Sequence, residues 1–186
     1  MLQTSLVSNE DELIQIYELN KQNLKGSLSD EEKEQEGFVS WLYSLDLLKK
    51  MHGLAPSVIV KEDQKVIAYA LTTVKESTVF HNDLKVMVDN LRTVNYEGKP
   101  LTSFNFYCMG QICIAKEYRG KGIFNLLYKK HKEVYSNKYD LLITEVSTSN
   151  IRSQKAHEKV GFKTIYTYRD ATDEWNVIVW DWTEEI

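Results

Sequence analysis

The stretch from residue 111 to residue 135 constrains the fold more than any other part of the chain. It begins with Ile112 and Ile114, whose alternation with less apolar neighbours indicates a buried strand. A short basic turn follows, with glycines at Gly120 and Gly122. Apolar residues then recur at the helical period as far as Val134. The sequence therefore predicts a strand, a glycine-containing turn and a helix in direct succession.

The predicted junction of turn and helix is suited to bind phosphate groups. The first N–H groups of a helix lack partners inside the helix, and the helix dipole attracts negative charge to them. Arg119 and Lys121 add positive charge. The spacing does not match the phosphate loop of nucleoside triphosphatases, because Gly122 follows the lysine, nor the dinucleotide fingerprint, because its third glycine would stand at Asn125. An ordinary basic turn at the start of a surface helix is the alternative.

Length and composition limit the class of protein. With 186 residues, 42% of them hydrophobic and 27% charged, the chain is typical of a globular protein, and we expect one domain over residues 1–186. The net charge of −4 argues against nucleic acid as a partner. We see no signal peptide and no apolar run of membrane-spanning length, so we expect a cytoplasmic protein without a membrane partner. It is expected to be a monomer or a homodimer.

The cysteines and histidines indicate neither a disulfide framework nor a metal site. Strict alternation along the strand at residues 104–114 places Cys108 and Cys113 on opposite faces of the sheet. His52, His81 and His131 show no spacing typical of metal ligands. We therefore expect no metal.

The rest of the chain alternates short strands with helices, which predicts a mixed helix-and-sheet domain. We predict strands at residues 2–7, 57–60, 65–74, 104–114, 141–146, 162–169 and 175–182. We predict helices from the cap at Asn9 to a stop at Gly26, and at residues 38–48, 80–91, 123–135 and 150–160. The acidic run at 30–36 is interpreted as a solvated helix surface, and residues 96–100 as a loop.

A second block, at residues 145–162, strengthens the interpretation of the first. It combines Glu145 at a strand end, Asn150 before a helix, and His157 in that helix, which Gly161 and Phe162 close. Together with the turn at 119–122, this block resembles the GNAT superfamily of N-acetyltransferases. The two blocks stand in the family's order, with one helix and one strand between them. The resemblance covers residues 112–162 and, with the order of the other elements, most of the chain.

The resemblance implies an α+β fold with a mixed, largely antiparallel central sheet flanked by helices, whose strands splay apart at the coenzyme A site. It implies acetyl-CoA as cosubstrate, with its pantetheine arm along the central strand and its pyrophosphate on the amides of the turn. Asn150 would reach the pantetheine amides, or would only cap the next helix. Phe124 stands where the family usually has a small residue. The implied cofactor-binding residues are Ile112, Cys113, Ile114, Arg119, Gly120, Lys121, Gly122, Ile123, Phe124, Asn150 and Ser153.

The activity that the resemblance implies is acetyl transfer to the amine of a small molecule or to a protein amino group. A lysine-like amine, with a pKa of about 10.4, is almost fully protonated at neutral pH, so a positioned base favours its attack. Glu145 is the predicted base, and a structural carboxylate is the alternative. His157 stands where the family most often has a tyrosine that acts as the general acid, and it is the predicted proton donor. A packed structural histidine is the alternative. A domain that binds the coenzyme without turnover is the alternative function.

Overall fold

The computed structural model describes residues 1–24 and 39–183, which form a seven-stranded sheet, a small hairpin and five α-helices. The sheet strands are β1 (Leu2–Leu6), β2 (Val58–Glu62), β3 (Lys65–Thr73), β6 (Phe106–Ile114), β7 (Leu141–Ser147), β8 (Lys163–Arg169) and β9 (Glu174–Asp181). The hairpin pairs β4 (Asn95–Tyr96) with β5 (Lys99–Pro100). The helices are α1 (Glu10–Gln22), α2 (Leu45–Leu54), α3 (Asn82–Leu91), α4 (Ile123–Tyr135) and α5 (Ile151–Val160).

The sheet has the strand order β1-β2-β3-β6-β7-β9-β8, and only the β6–β7 pair is parallel. Apolar side chains of α1, α2 and α3 pack against one face, and those of α4 and the end of α5 pack against the other. This arrangement confirms the predicted mixed, largely antiparallel sheet flanked by helices. No helix in the described ranges is long and apolar enough to cross a membrane.

Capping residues set several helix boundaries where the sequence predicts them. The Asn9 side chain accepts a hydrogen bond from the Glu12 amide (3.0 Å) at the start of α1. Helix α5 ends at Gly161, whose φ of 119° lies in the left-handed region. Helix α1 ends at Gln22. Its predicted stop at Gly26 and the acidic run at 30–36 lie outside the described residues.

The helix predicted at residues 38–48 begins later than its apolar spacing suggests. Residue 38 lies outside the described part, and residues 39–44 are not helical. The Asn20 side chain explains this, because it donates to the Trp41 carbonyl and accepts from the Tyr43 amide, each at 2.9 Å. Ser44 then caps α2 by accepting from the Leu47 amide (3.2 Å). A long-range polar contact thus overrides the local helical pattern.

The loop predicted at residues 96–100 is part of a two-stranded hairpin. Its turn residues, Glu97 and Gly98, have positive φ angles of 48° and 73°. Two successive positive φ angles are typical of tight hairpin turns. Each strand has only two residues, which is too short for any periodic pattern.

β6 contains a bulge beside the middle of β3. The register pairs Ala70 with Ile112 but Thr72 with Met109, so β6 has one more residue than β3 between these two pairs. The extra residue, at 110–111, reverses the alternation of side chains along β6.

This bulge corrects the prediction for the two cysteines. Cys108 lies opposite Thr73, and Cys113 lies opposite Tyr69. Thr73 and Tyr69 share a face of β3, and cross-strand partners point to the same face, so both cysteines also share that face. The predicted opposite placement is therefore wrong. Both thiols are free and buried, and burial raises the pKa of each to about 12.

Candidate active site

The two parallel strands β6 and β7 part after a short paired region. Their register joins only Phe106 to Leu141, Tyr107 to Leu142 and Cys108 to Ile143. Immediately beyond, the Thr144 hydroxyl donates to the carbonyl of Met109 (2.8 Å), so a side chain takes the place of the next ladder bond. The strand separation that the resemblance implies is therefore present.

The edge of β6 at this opening presents the backbone of Ile112 and Ile114. The amide of Ala115 donates to a β3 carbonyl (2.8 Å), so Cys113, two residues earlier, also turns its backbone toward β3. Ile112 and Ile114 alternate with Cys113 and face the opening. Of the three strand residues implied in cofactor binding, two therefore expose backbone groups there, and the carbonyl of Ile114 accepts from the Arg119 Nε (3.0 Å).

The turn before α4 leaves space at its glycines. Gly120 and Gly122 have φ angles of 74° and 78°, and a Cβ on either would meet nothing within 4 Å. Gly122 is the N-cap of α4 and has no side chain to cap the helix; the amide of Leu126 donates to its carbonyl. The amides of residues 123–125 therefore have no acceptor within the helix. This geometry is typical of an anion-binding helix terminus.

Phe124, which departs from the family pattern, is accommodated by the interface of α4 and α5. Its ring centroid lies 5.0 Å from that of Tyr128 and 5.0 Å from that of His157. The large side chain thus packs between helices, while its amide stays at the helix end.

A groove of about 470 Å³ extends from the turn to α5. This volume is within the range of roughly 300–1,000 Å³ that small-molecule sites occupy. Its described lining contains Arg119, Arg152, Lys155 and Lys159 but no acidic residue. Sequence reasoning missed the three cations of α5. Their spacing, which places them on one helical face after Asn150, is the signal that could have revealed them.

The two cations of the turn lie in different surroundings. The Arg119 guanidinium donates to the Ile114 carbonyl and to the Asn23 side chain (2.5 Å), so it fastens the turn to β6 and to the end of α1. Lys121 is exposed, and its Nζ lies 5.3 Å from the Tyr118 ring centroid. We therefore expect α5 to supply much of the positive charge within the groove.

A second pocket, of about 100 Å³, adjoins the groove at the opening between β6 and β7. The two cavities share Val39, Ile112, Asn150 and Ser153. The smaller pocket contains two carboxylates and, among its described lining, no lysine or arginine. Other residues that line it are Trp41, Tyr43, Thr73, His81, Asp83, Gly110, Gln111, Glu145, Ser147, His157 and Trp175.

Glu145, the predicted base, lies in β7 and lines the small pocket. Its Oε1 accepts a hydrogen bond from the Tyr168 hydroxyl (3.0 Å). Burial raises the pKa of the Glu145 carboxyl to about 7, and the bond from Tyr168 partly opposes this shift. A carboxyl with this pKa can exchange a proton near neutral pH.

His157, the predicted proton donor, is 1% exposed and hydrogen bonded at both ring nitrogens. Its Nδ1 lies 2.8 Å from the Ser153 carbonyl, and its Nε2 lies 2.6 Å from the Tyr128 hydroxyl. Because a carbonyl only accepts, we assign the proton to Nδ1 and the Tyr128 hydroxyl as donor to Nε2. Burial lowers the pKa of His157 to about 4, so the ring is neutral at pH 7.

Asn150 caps α5 at the point where the two cavities meet. Its Oδ1 accepts from the Ser153 amide (3.2 Å), so the capping role considered from the sequence is present. Asn150 and Ser153 both line the two cavities, which is compatible with contact to a ligand. Within the ranges 1–24 and 39–183, no three potential ligand side chains form a cluster that could hold a metal ion.

Several pocket residues were missed by sequence reasoning, including Trp41, Thr73, Asp83 and Trp175. They come from separate elements and meet only in the folded protein. No local spacing relates them, so the sequence contains no signal that could have grouped them.

Comparison with known proteins identifies a family and a fold. A family model described as the acetyltransferase (GNAT) family matches residues 13–162. No curated protein sequence gives a significant match. Among solved structures, the ribosomal-protein-S18-alanine N-acetyltransferase from Escherichia coli is 14% identical with a TM-score of 0.65, and the alignment covers 97% of this chain and 94% of that one.

Two further structures share the fold at similarly low identity. A Salmonella typhimurium protein solved with its cofactor acetyl-CoA is 10% identical with a TM-score of 0.61, over 97% of this chain and 93% of that one. A mutant of spermidine N-acetyltransferase from Vibrio cholerae is 15% identical with a TM-score of 0.60, over 98% of this chain and 95% of that one. At such identities the likeness is one of fold.

Proposed function

Because the chain belongs to the GNAT acetyltransferase family, we propose that it transfers the acetyl group of acetyl-CoA to a primary amine. The observation that carries this proposal is a pair of adjoining sites with opposite charge at the opening between β6 and β7. The groove has cations and no acids in its described lining, whereas the small pocket has acids and no Lys or Arg. The cationic groove would suit the anionic thioester carrier, and the acidic pocket would suit the ammonium group of the acceptor.

The size and positive charge of the groove support its assignment as the site of the coenzyme A diphosphate. The space beside Gly120 and Gly122, which a Cβ would occupy, would admit the diphosphate to the amides of residues 123–125. Arg152, Lys155 and Lys159 would add charge along the same groove. The backbone groups of residues 112 and 114 would pair with the amides of the pantetheine arm.

The chain supplies groups suited to acyl transfer at the junction of the two cavities. Acetyl-CoA, when bound, supplies an electrophilic thioester carbonyl. Glu145, as a carboxylate, accepts the proton that the amine releases as its nitrogen bonds to that carbon and the carbon–sulfur bond breaks. An N–H group of Ile112 or Ile114 donates to the acetyl oxygen as that oxygen gains negative charge. The sulfur leaves as a thiolate, which takes a proton from His157 or from water, so the products are an amide and the free thiol of coenzyme A.

The acidic charge of the small pocket supports a cationic amine as the class of acceptor. Proteins of similar fold act on an alanine of a ribosomal protein and on spermidine, which are a protein amino group and a small amine. Both kinds of amine carry a positive charge when protonated, and both suit an acidic pocket.

Acetyl-CoA is expected to stabilise the folded protein. At a hundredfold excess over Kd it should add about 2.7 kcal/mol to the free energy of unfolding, which raises Tm by roughly 5–10 °C for a chain of this size. Thermal unfolding with and without the ligand measures this shift, and sodium acetate at equal concentration is the control. The absence of a shift at millimolar acetyl-CoA would contradict the proposed site.

His157 is the candidate donor to the leaving sulfur. As a neutral ring it cannot give up its Nδ1 proton, which the Ser153 carbonyl holds, without becoming an imidazolate, so it can act as the acid only after its Nε2 takes up a second proton. We expect Tyr128→Phe to keep most of the turnover, and Tyr128→Phe/His157→Phe to lose about a hundredfold in kcat at unchanged Kd for acetyl-CoA. The single variant is the matched background, because His157→Phe alone would leave the buried Tyr128 hydroxyl without its acceptor.

Thiol release and titration of acetyl-CoA binding measure these two quantities. Equal turnover in the single and double variants would show that His157 only packs between the helices. A loss of acetyl-CoA binding in both variants would show that the pair maintains the groove instead.

A further inference from the structure

Building on the proposed function, we propose that the acceptor is a short aliphatic diamine, whose second ammonium group binds beside Asp83 and Thr73 in the small pocket. The reacting amine would lie near Glu145, at the opening toward the groove. The second charge would lie at the other end of the pocket, which is built by β3, α3 and the segment at 39–44.

Asp83 is a carboxylate at this pocket without a cationic partner among the described residues. It lies in the first turn of α3, is exposed and lines the pocket. Asp89, in the same helix, differs because it pairs with Lys85 (2.6 Å) and Arg92 (3.2 Å). Asp83 is therefore available to a charge on the ligand, whereas Asp89 is already neutralised.

Thr73 gives an independent sign of a missing hydrogen-bond donor. Its Oγ1 is buried, lines the same pocket and has no hydrogen-bond partner. Gly110, in the bulge of β6, places no side chain against this oxygen, because a Cβ at Gly110 would lie only 2.5 Å from it. A buried hydroxyl without a partner is unfavourable, and an ammonium group would donate to its lone pairs.

The neighbouring Tyr43 hydroxyl adds a second acceptor at the same place. It donates to the carbonyl of Gly110 (3.2 Å) and a Cβ on Gly110 would lie 2.9 Å from it. The same Cβ position on Gly110 would thus lie 2.5 Å from the Thr73 oxygen and 2.9 Å from the Tyr43 oxygen, so both hydroxyls adjoin Gly110. Burial and the charge of Asp83 raise the pKa of the Tyr43 hydroxyl, so the carboxylate acts on the same part of the pocket. The two hydroxyl oxygens and this carboxylate are acceptors for the N–H donors of an ammonium group.

Two tryptophans provide an apolar wall for the connecting methylene groups. The ring centroids of Trp41 and Trp175 lie 6.1 Å apart, and hydrogen bonds fix the backbone of the first and the indole of the second. Gln111 donates to the Trp41 carbonyl (2.9 Å), and Asp170 accepts from the Trp175 indole (3.1 Å). Aromatic faces also attract cations. The volume of about 100 Å³ favours a short chain over a folded peptide segment.

Three acceptors of equal length test the proposal. Diaminobutane, butylamine and γ-aminobutyrate share a four-carbon chain and a primary amine, and differ at the other end, which is cationic, apolar or anionic. The second ammonium group would be attracted to Asp83 by a Coulomb interaction near the protein surface. We therefore expect kcat/KM for diaminobutane to be about tenfold higher than kcat/KM for butylamine. It should be at least about a hundredfold higher than kcat/KM for γ-aminobutyrate. Thiol release at saturating acetyl-CoA measures all three values.

Asp83→Asn should bring the diaminobutane-to-butylamine ratio of kcat/KM close to one. Asp46→Asn is the matched control, because Asp46 also lies in the first turn of a helix, α2, but does not line the pocket. It should leave the ratio unchanged. A ratio that Asp83→Asn does not lower would overturn the proposed role of Asp83.

The outcomes separate this inference from the proposed function. Turnover of butylamine with no gain from the second charge, or a preference for γ-aminobutyrate, would overturn the diamine inference alone. An absence of thiol release with all three amines, in a protein that acetyl-CoA still stabilises against thermal unfolding, would also overturn the diamine inference alone. The absence of that stabilisation would overturn the proposed function, and the inference with it.

Discussion

Replacement of Gly122 by valine should raise the Kd for acetyl-CoA at least about a hundredfold, because the new side chain would keep the diphosphate from the amides of residues 123–125, and each lost amide contact costs roughly 1–3 kcal/mol. Gly122 has a φ of 78°, a conformation that β-branched residues strongly disfavour. Its new side chain would also enter the open space at the end of α4. Calorimetric titration measures the Kd, and thermal unfolding reports whether the variant folds.

Gly98→Val is the matched control for this prediction. Gly98 has a φ of 73° and open space around its Cβ position, but it lies in the β4–β5 hairpin and does not line the groove. The two variants therefore carry similar backbone strain. We expect both to lose thermal stability and only Gly122→Val to lose acetyl-CoA. Equal Kd values for the two variants would show that the turn at 119–122 is not the diphosphate site.

Glu145→Gln should lower kcat/KM about 10²- to 10⁴-fold and leave the Kd for acetyl-CoA unchanged, because a general base contributes to the reaction by roughly this factor. The carboxylate is the active form, so the wild-type rate should rise with pH through the Glu145 pKa of about 7. The variant should lack this rise. A pH profile of kcat/KM, measured by thiol release, tests both statements.

Tyr168→Phe should shift the same rise in rate to higher pH. The hydroxyl of Tyr168 donates to Glu145 and lowers the carboxyl pKa, so its removal raises that pKa further.

The Glu145→Gln variant keeps a side-chain oxygen that can accept the hydrogen bond from Tyr168. Unaltered kcat/KM in this variant would contradict the role of Glu145 as base and leave it a structural carboxylate.

The pH dependence of stability gives a separate check on Glu145. Its pKa of about 7 in the folded protein exceeds the ordinary value of 4.5, so folding favours the protonated form. The stabilising contribution is therefore complete below pH 4.5 and is lost as pH rises through about 7. Glu145→Gln should remove this dependence from the free energy of unfolding, as measured by denaturant titration.

The local part of the candidate site could be predicted from the sequence. The strand, turn and helix at 111–135 follow from apolar periodicity and from two glycines, and the structure places all three there. Asn150 and Gly161 likewise mark the ends of α5. These features depend on residues a few positions apart, whose backbone preferences act without help from the rest of the fold.

Contacts between distant residues decided the features that the sequence did not predict. Asn20 holds residues 39–44 out of a helix, and so helps to place Trp41 at the small pocket. The bulge in β6 brings Cys108 and Cys113 to one face and, through Gly110, leaves room for Thr73 and Tyr43. Each effect needs a partner more than twenty residues away, which no periodic pattern records.

The sequence by itself determined the order of strands and helices and the glycine turn, because alternation, capping and glycine geometry are local properties. The family was indicated by the resemblance of two sequence blocks, at 119–122 and 145–162. The tertiary structure alone decided the charge states of Glu145 and His157 and the set of residues that line the small pocket. Burial in the folded protein raises the pKa of Glu145 to about 7 and lowers that of His157 to about 4. The low polarity of the interior produces both shifts, and only the packing of separate elements creates that interior.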